Sequence, residues 1–303
     1  MVYFIGTKGL EFFSALWSGI DREYRWLYYP DLEVGNPWRR RAVHLCWRLG
    51  IIPRWKCYPE SFYREISVIG PNDHVVVFAY FPEPVLGILP FFNRFVHIHI
   101  WLWDNFSKLT ELKKYLSVIK KQNVSIHTFD PVDAKVYGIG YLPQLFNMKH
   151  MEPVVGNVRD CFYVGQANNA YRMKLVGEIK AMLDNEECSS LFHLVDGKQV
   201  KFLSYSENLR LLKESRCVIE VCEESQCGLT LRSLEALAYN KKLITNNSYI
   251  KNYDFYRREN IFVWGVDNVD DFHSFLHGVF CEVPQEVIDG YDVNVWLDKI
   301  LKN

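Results

Sequence analysis

Short apolar runs alternate with amphipathic stretches along this 303-residue chain. Residues 75–80 are a β-branched run ending on an aromatic, preceded by Asn72 and Asp73, and predict a buried strand. Residues 1–6, 24–29, 95–101 and 124–128 predict further strands, with His97 and His99 alternating against apolar neighbours in the third of these. Between them, residues 10–17, 38–49 and 108–122 predict helices; in the last, Leu109, Leu112, Leu116 and Ile119 recur at helical spacing. The second half repeats the alternation. Strands are predicted at 160–164, within 187–195, and at 217–221, 241–245 and 261–264. Helices are predicted at 171–183, 206–213, 229–239, 270–277 and 295–301. Strands alternating with helices imply parallel βαβ units. Periodicity breaks near residues 140–158, at Pro143, Asn147, Pro153 and Gly156. The predicted fold class is therefore α/β: two Rossmann-like domains facing a cleft, residues 1–150 and 151–303, with the last helix able to pack back on the first.

Composition narrows the classes of function. The formal net charge is −1, without an acidic or basic tail, which argues against a protein built mainly to bind nucleic acid. Aromatic residues make up 16%, enough for cores, carbohydrate subsites or a membrane interface, and do not choose among these. Eight cysteines form no C-x-x-C pair and suggest neither a zinc nor a redox motif; a cytoplasmic, reduced protein is the simpler expectation. No run approaches the ~20 apolar residues of a spanning helix, so any membrane contact is expected to be peripheral.

The chemistry concentrates in residues 217–247. A strand leads into a polar turn carrying Glu223, Glu224, Ser225, Gln226 and Gly228, then a helix, then another strand. A turn that opens a helix at the carboxyl end of a strand suits an anion, because free backbone N–H groups and the positive helix end face it. Ligands of open α/β sheets sit at such strand ends. Glu235, two turns into the helix, has the chemistry to take two ribose hydroxyls, with Arg232 one turn earlier on much the same face. The plain alternative is an Arg–Glu surface pair at i, i+3.

This stretch resembles the donor-sugar motif in the C-terminal domain of GT-B glycosyltransferases. Leu234-Glu235-Ala236-Leu237-Ala238 matches its helix, and residues 242–246 its following strand. It looks most like bacterial glycosyltransferases of capsule and lipopolysaccharide assembly, with a Gln-x-Gly-Leu-Thr-x-Arg-x-x-Glu pattern at Gln226, Gly228, Leu229, Thr230, Arg232 and Glu235. Residues 128–138, with Asp130 and Asp133, and residues 160–165 match further pieces of that group. The resemblance covers roughly residues 75 to 265. It implies a nucleotide-sugar donor, a UDP-sugar as the first expectation, held by Gln226, Gly228, Leu229, Thr230, Arg232 and Glu235. It also places the loop of residues 164–169, with Gly165, near the donor phosphates, with Arg172 and Lys174 as neutralising residues. There is one departure. In retaining members with glutamates eight residues apart, the first would fall on Cys227. Either Glu224 or Gln226 substitutes, or the enzyme belongs to a different mechanistic group, inverting ones included.

An inverting transferase needs a general base near the acceptor hydroxyl. Glu83 and Asp104, both at predicted strand ends of the first half, are the alternatives. Asp130 and Asp133 favour a turn-and-cap role. Trp38, Arg39, Arg40, Arg41 and Trp47 combine basic charge with aromatics, as peripheral contact with the inner face of a membrane requires; a surface helix with its tryptophans inside is the other reading. No Asp-x-Asp stands where a metal-bridged diphosphate would need it, so no metal or other cofactor is expected, Arg172, Arg232 and helix ends neutralising the leaving group. The leading expectation is a glycosyltransferase extending a bacterial surface glycan (lipopolysaccharide, O-antigen or capsule), with a glycan or lipid-linked glycan as acceptor. The alternative is a non-catalytic nucleotide-sugar or glycan-binding protein. A dehydrogenase is disfavoured, since no G-x-G-x-x-G follows the first strand of either half.

Overall fold

The computed structural model describes residues 1–7, 11–29, 37–49, 51–52, 55–79, 86–106, 113–114, 116, 123–149, 156, 158–224 and 226–302. Two compact units emerge: Met1–Leu10 with Asp21–Leu142 and Leu297–Asn303, and Glu11–Ile20 with Pro143–Trp296.

The first unit is built on β1 (Val2–Gly6), β2 (Tyr24–Tyr28), β3 (His74–Ala79), β4 (His97–Leu102), β5 (Val124–Thr128) and β6 (Gly140–Tyr141). They pair in the order β2-β1-β3-β4-β5-β6, every pair parallel. All of β1 is buried, which fits a parallel sheet covered on both faces. Tyr3, Ile5, Val75, Val77, Ile98 and Ile100 point to one face and pack with α3 (Glu60–Ser67) through Phe62, Tyr63 and Ile66. The opposite face carries Phe4 against Phe78 and, further along, a row of histidines. His97 stacks on His99 at 4.5 Å between ring centres, and His99 Nδ1 lies 3.5 Å from His127 Nε2.

The second unit contains α1 (Glu11–Trp17) and a sheet of β7 (Arg159–Gln166), β8 (Ser190–Val195), β9 (Ser215–Glu220), β10 (Lys242–Thr245) and β11 (Ile261–Val263). The order is β11-β10-β9-β7-β8, again parallel. Its helices include α5 (Ala170–Asn185), α6 (Tyr205–Lys213), α7 (Leu231–Ala238), α8 (Phe272–His277) and α9 (Gln285–Asp289); α2 (Pro37–Arg48) and α4 (Pro131–Tyr137) belong to the first unit, and α10 (Val293–Lys302) ends the chain.

Most predicted elements appear with ends shifted by a few residues, and side-chain caps explain several of the ends. Asn169 accepts from Arg172 N, Ser204 from Glu207 N and Thr230 from Arg232 N, so α5, α6 and α7 start just after them. Thr230 therefore moves the start of α7 two residues past the predicted 229. Asp130 Oδ1 takes the N–H groups of Val132 and Asp133, and Asp133 Oδ2 takes that of Phe106 at 2.6 Å, which gives both aspartates the structural work favoured above. Helix α3 was not predicted. Only one and a half turns of pattern mark it, and what holds it is burial of Phe62, Tyr63 and Ile66. The predicted helix at 108–122 falls mostly outside the described residues.

Candidate functional site

Strand order locates a binding position before any side chain is considered. In the second unit the chain moves from β7 outward to β8, then returns to the other side of β7 to place β9, β10 and β11. The loops after β7 and β9 therefore diverge, leaving a crevice at the carboxyl ends of these two strands, where open α/β sheets bind ligands. Two helices open there: α5, capped by Asn169, and α7, capped by Thr230. Their positive ends favour an anion.

Glu220 organises the floor. It ends β9, is buried, and accepts hydrogen bonds from three hydroxyls: Ser233 Oγ at 2.8 Å, Thr245 Oγ1 at 2.6 Å, and Thr230 Oγ1. One carboxylate thus ties the end of β9 to the cap of α7 and the end of β10. Three charge-assisted donors offset the cost of burying it. Asn246 and Asn247 hold the turn from the other side. Asn246 Oδ1 accepts from Cys222 N at 2.7 Å, and Asn247 Nδ2 donates to the carbonyls of Cys227 at 3.3 Å and Gly228 at 3.2 Å. The strand-end position of Glu220 and the neighbouring hydroxyl residues were visible in the sequence. That they meet needed the register of β9 against β10.

Arg172, in the first turn of α5, is half-buried, and among the described residues its guanidinium has no hydrogen-bond or ion-pair partner. Its charge and that of Arg232 both act on the Tyr163 hydroxyl, partly offsetting the upward push that burial gives that group. Tyr163 sits in β7, three residues before the end of the strand. Gly165 is required beside it: a Cβ there would lie 2.2 Å from the Tyr163 hydroxyl oxygen. Gly165→Ala is expected to destabilise the fold by about 1–3 kcal/mol, the usual cost of overpacking, as a lower urea midpoint would show. An unchanged midpoint would mean that Tyr163 swings away freely.

The remaining predicted residues divide. Arg232 Nη1 pairs with Glu235 Oε2 at 2.8 Å, and its Nη2 donates to Asn208 Oδ1 at 3.0 Å. Glu235 is only 2% exposed, so the pair is an interior one rather than the solvated pair considered above. Burial raises the Glu235 carboxyl pKa, and Arg232 works against that rise. Any ribose contact by Glu235 would have to be made around this pair. Gln226 Nε2 donates to the Gly228 carbonyl at 3.4 Å. Leu229 is fully buried and serves the core. Thr230 spends its hydroxyl on Glu220 and on the helix cap. Lys174 is exposed and pairs with Glu178 on its own helix at 3.8 Å. Asp104 lies beyond β4 in the first unit, where its Oδ1 accepts from Asn105 N at 2.8 Å. Glu83 lies outside the described residues.

No protein-family model and no curated protein matches the chain. Solved structures do. Anabaena Alr3699/HepE, crystallised in complex with UDP and glucose, is 9% identical and aligns over 100% of this chain and 99% of its own with a TM-score of 0.51. An alpha-glucosyltransferase in complex with UDP and a 13-mer DNA is 9% identical over 98% of this chain and 91% of its own, TM-score 0.49. A UDP-N-acetylglucosamine 2-epimerase from Rickettsia bellii is 9% identical over 99% and 95%, TM-score 0.47. At this identity the likeness to HepE is one of fold. With the two parallel sheets, it gives the chain a GT-B-like fold of two Rossmann-like units.

Proposed function

We propose that the protein is a glycosyltransferase using a nucleotide-sugar donor, bound in the second unit at the crevice between the ends of β7 and β9. The observation that carries this reading is the half-buried Arg172 guanidinium, without a partner among the described residues, beside two helix N-termini at the strand-order switch. A diphosphate supplies the missing negative charge. In this reading Arg172 and Arg232 neutralise the phosphates, the backbone at Gly165 and at Gly228 to Thr230 cradles them, and Gln226 stands near the sugar. Glu235 orients Arg232 and reaches the ribose. Charge on the leaving nucleotide is balanced by these groups without a divalent ion. UDP is the first nucleotide to test, since HepE was solved with UDP and glucose. A thermal-shift panel of UDP, GDP, CMP and dTDP tests the reading. Selective stabilisation by one nucleotide supports it; no shift with any of them in a well-folded sample overturns it. Release or transfer of sugar from the matching nucleotide sugar then separates an enzyme from a binding protein.

The acceptor we propose is a growing bacterial surface glycan carried on a lipid, with Asp104 or Glu83 of the first unit as base, and the protein at the inner face of the cytoplasmic membrane. Helix α2 supports the membrane side of this. Trp38 is 72% exposed, Leu45 and Leu49 are also exposed, and all three fall with Arg41 and Arg48 within about a 100° arc of the helix. The Arg41 guanidinium sits over the Trp38 ring at 5.1 Å. The side chains of Arg39, Arg40 and Trp47 lie outside the described residues. An exposed aromatic and two leucines flanked by arginines suit an anionic bilayer surface. Among the described residues no helix is long and apolar enough to cross a membrane. Co-sedimentation with phosphatidylglycerol vesicles is expected, falling about tenfold in a Trp38→Ala/Arg41→Ala variant, as loss of roughly 1–1.5 kcal/mol from one basic residue and its aromatic neighbour implies. Equal sedimentation of the two proteins would remove α2 from any membrane role.

A further inference from the structure

We infer that Glu186, His273 and His277 form a binding site for a zinc-like divalent transition-metal ion, separate from the donor crevice. His273 and His277 stand four residues apart on α8, the spacing that places two imidazoles on one helix face as a metal chelate needs. The other face of that helix is fixed by burial of Phe272, Phe275 and Leu276 in the core of the second unit. The two rings are 4.5 Å apart between centres. Glu186 ends α5 as its C-terminal cap, and the next residue, Glu187, adopts a left-handed φ of 53° that turns the chain sharply at that point. Its carboxylate meets both rings. His273 Nδ1 donates to Glu186 Oε2 at 2.6 Å, and His277 Nε2 lies 4.0 Å from the same oxygen. The three donor atoms all fall within 4.8 Å of one another.

Tetrahedral zinc, with bonds of about 2.0–2.1 Å, sets its ligand atoms about 3.3 Å apart. The observed separations bracket that value. Small side-chain rotations, available to two exposed histidines, would equalise them. Two imidazoles and one carboxylate select zinc, copper, nickel or cobalt over magnesium or calcium, which prefer all-oxygen sites. The exposure of both histidines leaves the fourth position to water. The site joins the C-terminal cap of α5 to α8, whereas the donor crevice is at the start of α5, about sixteen residues earlier. A metal here would therefore clamp two helices and take no part in donor chemistry.

Calorimetric titration of the full chain with zinc chloride tests this. One equivalent is expected to bind the wild type, and His273→Ala/His277→Ala to bind at least tenfold more weakly while keeping its circular dichroism. Glu186→Gln is expected to lie between. Cobalt(II) should give a ligand-field spectrum without a thiolate charge-transfer band. No binding to the wild type would overturn the inference. So would undiminished binding by the double variant, or a thiolate band, either of which would move the metal to the free cysteines. Nucleotide-induced stabilisation should be the same with zinc or with a chelator, so failure of the metal site and failure of the donor reading would be told apart.

Discussion

Moving the protein from pH 7 to pH 5 is expected to remove about 4 kcal/mol of folding stability through two histidines of the first unit. His99 is 1% exposed and His127 is 3% exposed. Burial drives the His99 pKa down to about 3, helped by the neighbouring His97, His127 and His74; burial with His97 drives His127 to about 4. Both are therefore neutral in the folded protein across this range. In the unfolded chain each takes up a proton near pH 6.5, so below that pH the unfolded state binds more protons and stability falls with pH. From 6.5 to 5 the loss is about 2 kcal/mol per histidine, at 1.36 kcal/mol per unit. It grows until pH drops through the folded values. His127 also has an Nδ1 without a hydrogen-bond partner among the described residues, closed in by Gly140, where a Cβ would lie 2.5 Å from that atom. A proton added to that nitrogen would find no acceptor among the described residues. Urea unfolding at pH 7, 6 and 5 would measure the slope. In a His99→Gln/His127→Gln variant, which carries no titrating group at either position, the slope should flatten by the two-histidine amount. Equal slopes in the two proteins would show that these rings are solvated after all.

Under the proposed donor reading, replacing Arg172 with alanine is expected to erase most of the stabilisation measured with UDP. At a hundredfold excess over Kd, a ligand specific to the folded state adds about 2.7 kcal/mol. Removing one charge-assisted contact to a phosphate costs about 2 kcal/mol, near thirtyfold in Kd, which at the same UDP concentration leaves about 0.9 kcal/mol. The unliganded variant should melt close to wild type, because Arg172 supports no partner among the described residues. Arg232→Ala is the contrast. It leaves Glu235 buried without its cation and Asn208 without its donor, so it should lower the melting temperature even without nucleotide. The two variants separate the ligand role proposed for Arg172 from the structural one that Arg232 also carries. A UDP shift that survives Arg172→Ala would move the phosphates away from the start of α5.

How far the chain could be read depends on the range of the interactions involved. Strands such as β3 and β9 and helices such as α5 and α6 declare themselves locally, through β-branched runs, helical spacing and capping residues such as Asn169, Ser204 and Thr230. The α/β class follows from their alternation, and the polar turn before α7 from its composition. Helix α3 was missed because one and a half turns of pattern carry little signal, and burial against the sheet decides it. In the candidate site, Gly165, Arg172, Gly228 and Arg232 could be singled out from the sequence by chemistry and by their place at strand ends and helix starts. Which of them stands free was not.

That division is the one between local and non-local physics. By itself, the sequence of this protein determined where backbone segments would extend or coil, which turns would open helices, and that the chain would form parallel βαβ units. Only the tertiary structure decided that β9 lies beside β7 rather than beyond β8, and so where the crevice opens. It alone set Glu235 and Arg232 together in the interior while leaving the Arg172 guanidinium unpaired among the described residues, joined Glu220 to three hydroxyls from the start of α7 and the end of β10, and brought Glu186 to two histidines some ninety residues later. Burial and charge pairing depend on what each side chain meets in space, and strand order and register fix those meetings.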